Sequence, residues 1–198
     1  MSTGYAMAYR LGIRPWERAG AGGQASFEAL LEREENERGR PLGRALDLGC
    51  GRGRHTRELA ARGWEAVGID NIPRALAQAR AAGDGATFVE ADVTALRRAK
   101  LGGFDFFLDI GCLHGLDAAA RAAAAGGITE LANPGATMLL LAFRPHPLPL
   151  LPKGLTRADV ESTFPAWRLE STGPADTAGM PRPLRRTEPQ WYRLRLAS

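Results

Sequence analysis

The chain has 198 residues, 44% of them hydrophobic and 24% charged. That is too apolar for general disorder and suits one domain, which would bury roughly 70% of the surface its unfolded form exposes. A formal charge of +4 raises the question of a nucleic-acid partner, but 24 of the 26 basic residues are arginines scattered along the chain, densest only at Arg182, Arg185 and Arg186, which argues against one.

The longest apolar run, residues 138–143, falls far short of the ~20 residues a membrane helix needs. The N-terminus lacks the charged-then-apolar layout of a secretory leader. Cys50 and Cys112 make neither a disulfide framework nor a metal-ligand set, so no metal and a reduced, cytoplasmic setting are expected.

Residues 1–22 are small, aromatic and glycine-rich without a clean period, and read as an irregular or partly helical arm. Residues 24–38 carry Phe27, Leu30, Leu31 and Glu34 at helical spacing, stopped by Gly39 and Pro41. A regular alternation follows: a strand at 44–48, a helix at 55–62 ended by Gly63, and a strand at 65–69. A helix at 73–82, with Pro73 in its first turn, leads to a strand at 87–90. A short helical piece at 95–100 precedes the fourth strand, 104–110.

Residues 116–132 predict an alanine-rich helix capped by Asp117, which the Gly126–Gly127 pair weakens by up to about 2 kcal/mol and bends. The fifth strand, 136–143, is near-continuously apolar, as a central parallel strand is. Thr156 and Asp159 give a capping signal for a helix at 156–164, and two β-like runs, 167–171 and 190–196, close the chain. Strands alternating with helices imply an α/β fold, a parallel sheet covered on both faces within one domain over 1–198.

The segment ALDLGCGRG, residues 45–53, leaves the first strand and enters a helix. Glycines at 49, 51 and 53 let the backbone turn tightly and a ligand approach closely. The helix start beyond them offers free N–H groups and a positive dipole end to a carboxylate or phosphate. The dinucleotide fingerprint G-x-G-x-x-G fails from either glycine, because Arg54 or Thr56 stands where the third glycine belongs. The triphosphate-loop ending G-K-[ST] is absent.

Asp47, two residues before the turn, would repel a pyrophosphate but attract an ammonium group. Asp70 ends the second strand 23 residues later, near the ~20-residue spacing at which an acid reaches ribose hydroxyls; it could equally cap the next helix. Asp92, just past the third strand, is a candidate for an adenine amino group, or one loop carboxylate among many. Together the three acids on the carboxyl edge mark out a nucleoside with an amino-acid tail. A glycine turn that only packs a helix on a sheet is the bland alternative.

With these residues in view, the chain resembles the class I S-adenosylmethionine-dependent methyltransferases. ALDLGCGRG resembles their first motif, VGIDNIP the acidic second, FVEADV and FDFFLDIGCLHGL the third and fourth, and LANPGATMLLLAF the fifth-strand lead-in. The likeness covers residues 42–145 in order, with Ala136 where many members carry a second glycine. It implies a Rossmann-like three-layer α-β-α sandwich, a seven-stranded mostly parallel sheet of order 3-2-1-4-5-7-6 with an antiparallel C-terminal strand. It implies S-adenosyl-L-methionine as cofactor and S-adenosyl-L-homocysteine as product. By the same resemblance Asp47, Gly49, Cys50 and Gly51 lie at the methionyl part and Asp70 on the ribose. Asn71 and Ile72 lie beside the adenine, Asp92 and Val93 at its edge, and Asp109 near the amino end of the cofactor.

The likeness is nearest to small bacterial enzymes related to the thiopurine and tellurite-resistance methyltransferases, in which an N-terminal Pro-Trp element folds over the cofactor. Arg14-Pro15-Trp16 is similar, and Trp16 either closes the cofactor site or anchors the arm. No [DN]-P-P-[YFW] follows the fourth strand, where DNA amino-methyltransferases carry it. The expected activity is methyl transfer by in-line displacement to a small-molecule acceptor at sulfur, nitrogen, oxygen or a metalloid. An RNA or protein methyltransferase, or a non-catalytic cofactor-binding protein, are the alternatives.

His114 is the candidate catalytic base, or a loop histidine that satisfies a backbone group; Cys112 and His55 read as structural. The arm at 1–22, residues 144–153 with four prolines, and residues 173–189 are expected to form the acceptor pocket of a monomer or homodimer.

Overall fold

The computed structural model describes residues 24–83, 85–148 and 151–197; the expectations for the arm at 1–22 and for Trp16 lie outside the described residues. Seven strands, β1 (Arg44–Leu48), β2 (Glu65–Asp70), β3 (Thr87–Glu90), β4 (Phe104–Ile110), β5 (Ala132–Ala142), β6 (Trp167–Pro174) and β7 (Gln190–Leu196), form one sheet. Its order is β3-β2-β1-β4-β5-β7-β6, as expected. β1 through β5 pair in parallel, and β7 runs antiparallel to both β5 and β6. The helices are α1 (Gln24–Arg38), α2 (Arg54–Arg62), α3 (Pro73–Ala81), α4 (Ala118–Leu131), α5 (Arg157–Thr163) and the short α6 (Arg182–Arg185). Among the described residues no helix is long and apolar enough to cross a membrane.

Side chains alternate across each strand, so the sheet feeds two apolar layers. Leu46 and Leu48 of β1 join Met138 and Leu140 of β5 against Ala124 and Ile128 of α4 and Val160 of α5. Ala45 and Leu139 face the other way, against Phe27 and Leu31 of α1 and Leu59 of α2. Each large apolar side chain buried there contributes roughly 1.5–3 kcal/mol. This is the three-layer sandwich of the sequence reading.

Two strand boundaries differ markedly from the sequence expectation. β5 begins at Ala132, because Ala132 pairs with Phe104 and the Asn133 side chain donates to Asp105 Oδ1 at 3.0 Å, drawing the Asn-Pro-Gly segment along β4. β6 continues to Pro174, which pairs with Gln190, so the first two residues of the expected loop, Gly173 and Pro174, join a hairpin arm and α6 occupies part of the rest. α4 runs unbroken through Gly126 and Gly127; a Cβ on Gly127 would stand 3.0 Å from Leu96 Cβ, so the glycine admits the 3-10 turn at Val93–Arg98.

The α1 layer also holds a buried ionic network. Arg193 of β7 shares a face with Trp191 and is 2% exposed; Glu34 of α1 is 1% exposed. Arg193 donates from Nη2 to Glu34 Oε2 at 2.8 Å and to Glu37 Oε2 at 2.6 Å, and also bonds Glu170 of β6. The second oxygen of Glu34 accepts from Arg38 at 3.2 Å and from the Thr137 hydroxyl of β5. Glu34 therefore occupies the apolar stripe of α1 as a fully partnered charge.

Removing one member of a buried pair leaves the other charge uncompensated, at a cost of about 3–5 kcal/mol. Glu34→Leu is expected to lose that much in urea unfolding. The double variant Glu34→Leu/Arg193→Leu is expected to lose less than the two single losses summed; strict additivity would show that the pair is not coupled.

Candidate active site

The carboxyl ends of β1, β2 and β4 meet at one edge, since Leu48 lies across from Ile69 on one side and Asp109 on the other. The turn after β1 uses left-handed backbone at Gly49 (φ 67°), Gly51 (φ 55°) and Gly53 (φ 71°), where any side chain is strained. A Cβ on Gly53 would stand 2.3 Å from the Phe88 ring of β3. Cys50 N–H donates to Ile69 O at 2.8 Å, stitching the turn to β2. Gly53, the N-cap of α2, has no side chain to bond the first-turn N–H groups, and Asp47 takes the Thr56 N–H instead.

Two residues that the sequence reading passed over complete this corner. Thr56 is fully buried and its hydroxyl donates to Asp47 Oδ2 at 2.6 Å. Gly68 inside β2 lets α2 lie close, because a Cβ there would meet Thr56 Oγ1 at 2.6 Å and Cys50 at 2.9 Å. A glycine inside a strand pattern is itself a signal of close backbone approach.

The acids differ in what holds them. Asp47 is 3% exposed, and burial, reinforced by Asp70, pushes its pKa to about 7. Asp70 accepts Gly51 N–H at 2.9 Å on one oxygen and Ile72 N–H at 2.8 Å on the other; burial raises its pKa while these bonds hold it down. Asp70 thus closes a turn onto Ile72 and ties the glycine turn to β2, but it does not cap α3, whose N-cap is Ile72 without a side-chain bond. Asn71 and Ile72 follow it, half-buried, at the entry to α3.

Asp109 is fully buried, and its two oxygens accept from the N–H groups of Cys112 (3.0 Å) and Leu113 (2.9 Å), anchoring the loop after β4. Burial raises its pKa to about 7. Asp92 is exposed and caps the 3-10 turn through Thr94, while Val93 turns into the core. Burial raises the Cys50 and Cys112 thiols, so both are protonated at neutral pH.

His114 satisfies a backbone group, the second of its two readings from sequence. Its Nδ1 accepts the Phe143 N–H at 3.0 Å, so the ring proton of the neutral tautomer resides on Nε2. Burial, helped by nearby His146, brings its pKa down to about 3. The only lone pair of the neutral ring is thus occupied, while the buried Nε2–H has no partner. That nitrogen stands 3.3 Å from where a Cβ on Gly111 would be. His55 also stays neutral, burial bringing it to about 4, with its ring edge-on to Phe27 at 5.1 Å. Among the described residues no set of three metal-ligating side chains comes together.

Beside this corner, at the carboxyl ends of β5 and β6 and the start of β7, lies a cavity of about 490 Å³ lined by Arg144, His146, Arg157, Arg186, Gln190 and Tyr192 among others. Residues 144–147 and 186–188, from the expected segments 144–153 and 173–189, are among those that line it.

Residues 45–135 match the family of the methyltransferase domain. A 2-heptyl-1-hydroxyquinolin-4(1H)-one methyltransferase of Mycobacteroides abscessus is 35% identical over 111 residues; the chain spans about half of it (49%), and 54% of this chain is aligned. An uncharacterized methyltransferase of Schizosaccharomyces pombe is 30% identical over 102 residues, covering 50% of this chain and 70% of that protein. The fold is shared with a TehB-like S-adenosylmethionine-dependent methyltransferase from Corynebacterium glutamicum, with TM-score 0.69, 17% identity and 98% of each chain covered.

A carboxyl group whose pKa is higher folded than unfolded binds its proton more tightly in the native state. The stability this adds from Asp47 is fully present below about pH 4, the unfolded value, and is lost as pH rises through about 7. Asp47→Asn is therefore expected to gain melting temperature relative to the unsubstituted protein between pH 4.5 and pH 8. An offset that stays constant across that range in thermal melts would contradict it.

Proposed function

This chain belongs to the class I S-adenosylmethionine-dependent methyltransferases, and from that premise we propose that it transfers a methyl group from S-adenosyl-L-methionine to a small organic acceptor. The observation that carries this reading is the corner where the bare glycine turn, the start of α2 and Asp70 converge, with a cavity of about 490 Å³ at the same edge of the sheet. Cavities of roughly 300–1,000 Å³ are the size that holds small ligands.

The residues present fit the cofactor. A carboxylate has about four lone-pair positions, and Asp70 gives part of them to the N–H groups of Gly51, Ile72 and Asn71. What remains would accept a ribose hydroxyl. The left-handed turn at Gly49 and Gly51 would let the methionyl part approach the backbone, with the α2 start facing its carboxylate. Asp47 is close enough to Asp70 to feel its charge and would favour the ammonium. Asn71, Ile72, Asp92 and the Val93 backbone would border the adenine.

When bound, the cofactor supplies a methyl group on a sulfonium, an electrophile that needs no further activation. The chain's own work is then alignment and exclusion of water, which together supply roughly 7–11 kcal/mol in well-oriented displacements. The Nε2–H of His114 would hold and orient an oxygen of the acceptor, while Phe143, tilted against His114 with ring centroids 4.5 Å apart, keeps the ring in place. Any acceptor proton leaves to solvent or is already absent.

Calorimetry with S-adenosyl-L-methionine, S-adenosyl-L-homocysteine and NAD is expected to show binding of the first two alone, and a ten-fold or greater loss for Asp70→Ala; preferential NAD binding would overturn the reading. Turnover is measured as S-adenosyl-L-homocysteine release over small sulfur, nitrogen and oxygen acceptors, including 2-heptyl-1-hydroxyquinolin-4(1H)-one. With any acceptor turned over, His114→Gln, which keeps an N–H donor, is expected to retain more kcat/KM than His114→Phe. The unsubstituted enzyme is expected to show no ionisation of a base near pH 6–7 that His114→Gln abolishes. Its loss in that variant would restore the base role to His114.

A further inference from the structure

The cavity at the ends of β5, β6 and β7 has walls held by main-chain bonds. Arg144 N–H donates to Thr187 O at 2.8 Å, and Leu155 N–H to Phe143 O at 2.8 Å. The Tyr192 hydroxyl donates to Leu155 O at 3.2 Å, and Gly154 (φ +79°) closes the loop so tightly that a Cβ would stand 2.4 Å from Arg144 O. The space is therefore preformed.

Its polar lining is one-sided. Arg144, Arg157 and Arg186 face it, against a single carboxylate, Glu188. Glu188 is engaged by Arg144 at 2.8 Å, and Arg157 reaches Glu161, one turn further along α5, at 2.9 Å. Arg186 has no ion pair among the described residues. His146 adds a further donor: its Nδ1 accepts Leu148 N–H at 3.2 Å, so its neutral proton sits on Nε2, which is buried without a partner. Guanidinium groups and an unpaired N–H suit oxygen acceptors that carry negative charge.

The lining is also joined to the glycine turn. The ring of His146 lies 5.9 Å from that of Phe143, and Phe143 lies 4.5 Å from His114. The His114 Nε2 nitrogen borders Gly111, and Cys112 borders Gly49, where a Cβ would be 3.0 Å from its sulfur. A continuous wall of side chains thus runs from the donor-rich cavity to the turn after β1.

We propose that this cavity is an anion subsite for the acceptor, so that the molecule methylated is a small organic oxyanion, such as an aromatic carboxylate, whose charge rests against Arg144, Arg157 and Arg186. The proposal rests on methyl transfer as the activity; the subsite itself is tested separately from it.

The test is calorimetry on the full chain saturated with S-adenosyl-L-homocysteine, using benzoate and its uncharged isostere benzamide as probes. Benzoate is expected to bind at least ten-fold more tightly than benzamide. Arg186→Gln, at an exposed position, should weaken benzoate five-fold or more without changing benzamide, and Glu188→Gln should tighten benzoate. Equal binding of the two probes, binding of neither, or a preference for benzoate untouched by Arg186→Gln overturns the subsite. The S-adenosyl-L-homocysteine titration on the same samples reports on the methyltransferase reading: its failure, with benzoate selectivity intact, sinks that reading and leaves an anion site.

Discussion

Parallel pairing of β1 with β2 on one side and β4 on the other is the constraint on which the rest of the molecule depends. Parallel strands end at the same edge, so every crossover delivers its next loop there. Leu48 opposite Ile69 and Asp109 brings Gly49, Asp70 and Gly111 together although they are far apart in the chain. The hydrogen bonds from Cys50 to Ile69 and from Gly51 to Asp70 then fix the turn as one rigid corner. Gly68 is part of the same constraint, because α2 reaches β2 only where no side chain intervenes.

Polar groups buried by this arrangement fall into two kinds. The network of Arg193, Glu34, Glu37, Glu170, Arg38 and Thr137 links acid to base and locks α1 onto β5, β6 and β7. Asp109 is likewise satisfied, by loop amides. The second kind is incomplete. Among the described residues, five buried side-chain nitrogens have no partner: Arg38 Nε in the α1 network, Arg121 Nε on α4, and His114 Nε2, His146 Nε2 and Trp191 Nε1 at the carboxyl edge. A buried donor left unpaired costs about 1–3 kcal/mol. His114 and His146 are the two that stand between the glycine turn and the arginine-lined cavity.

The carboxylates near the turn extend the contrast. Asp47 and Asp109 both have pKa values near 7 for the same first reason, burial. Asp109 has its oxygens bound by loop N–H groups, whereas Asp47 is bonded by Thr56 alone and faces the like charge of Asp70. A cation arriving near Asp47 would therefore stabilise a charge that the protein alone leaves costly.

The sequence by itself determined the strand order class and the motif corner. Residues 87–90, 104–110 and 190–196 have the same bounds in the structure, because the sheet's buried strands must be short apolar runs closed by turn residues. Gly49, Gly51, Gly53 and Asp70 were legible because a tight turn and a strand-end acid are local requirements. The early start of β5 and the long β6 were not, since Asp105 and Gln190 lie on other elements. Glu34 was readable only as a charge in an apolar stripe; its partner Arg193 is 159 residues away. His114 was visible as a histidine near the fourth strand, but its protonated nitrogen is chosen by the Phe143 N–H, 29 residues on. Local backbone demands are written in short stretches of sequence, whereas which buried groups meet, and which stay unpaired, is decided only when distant elements pack.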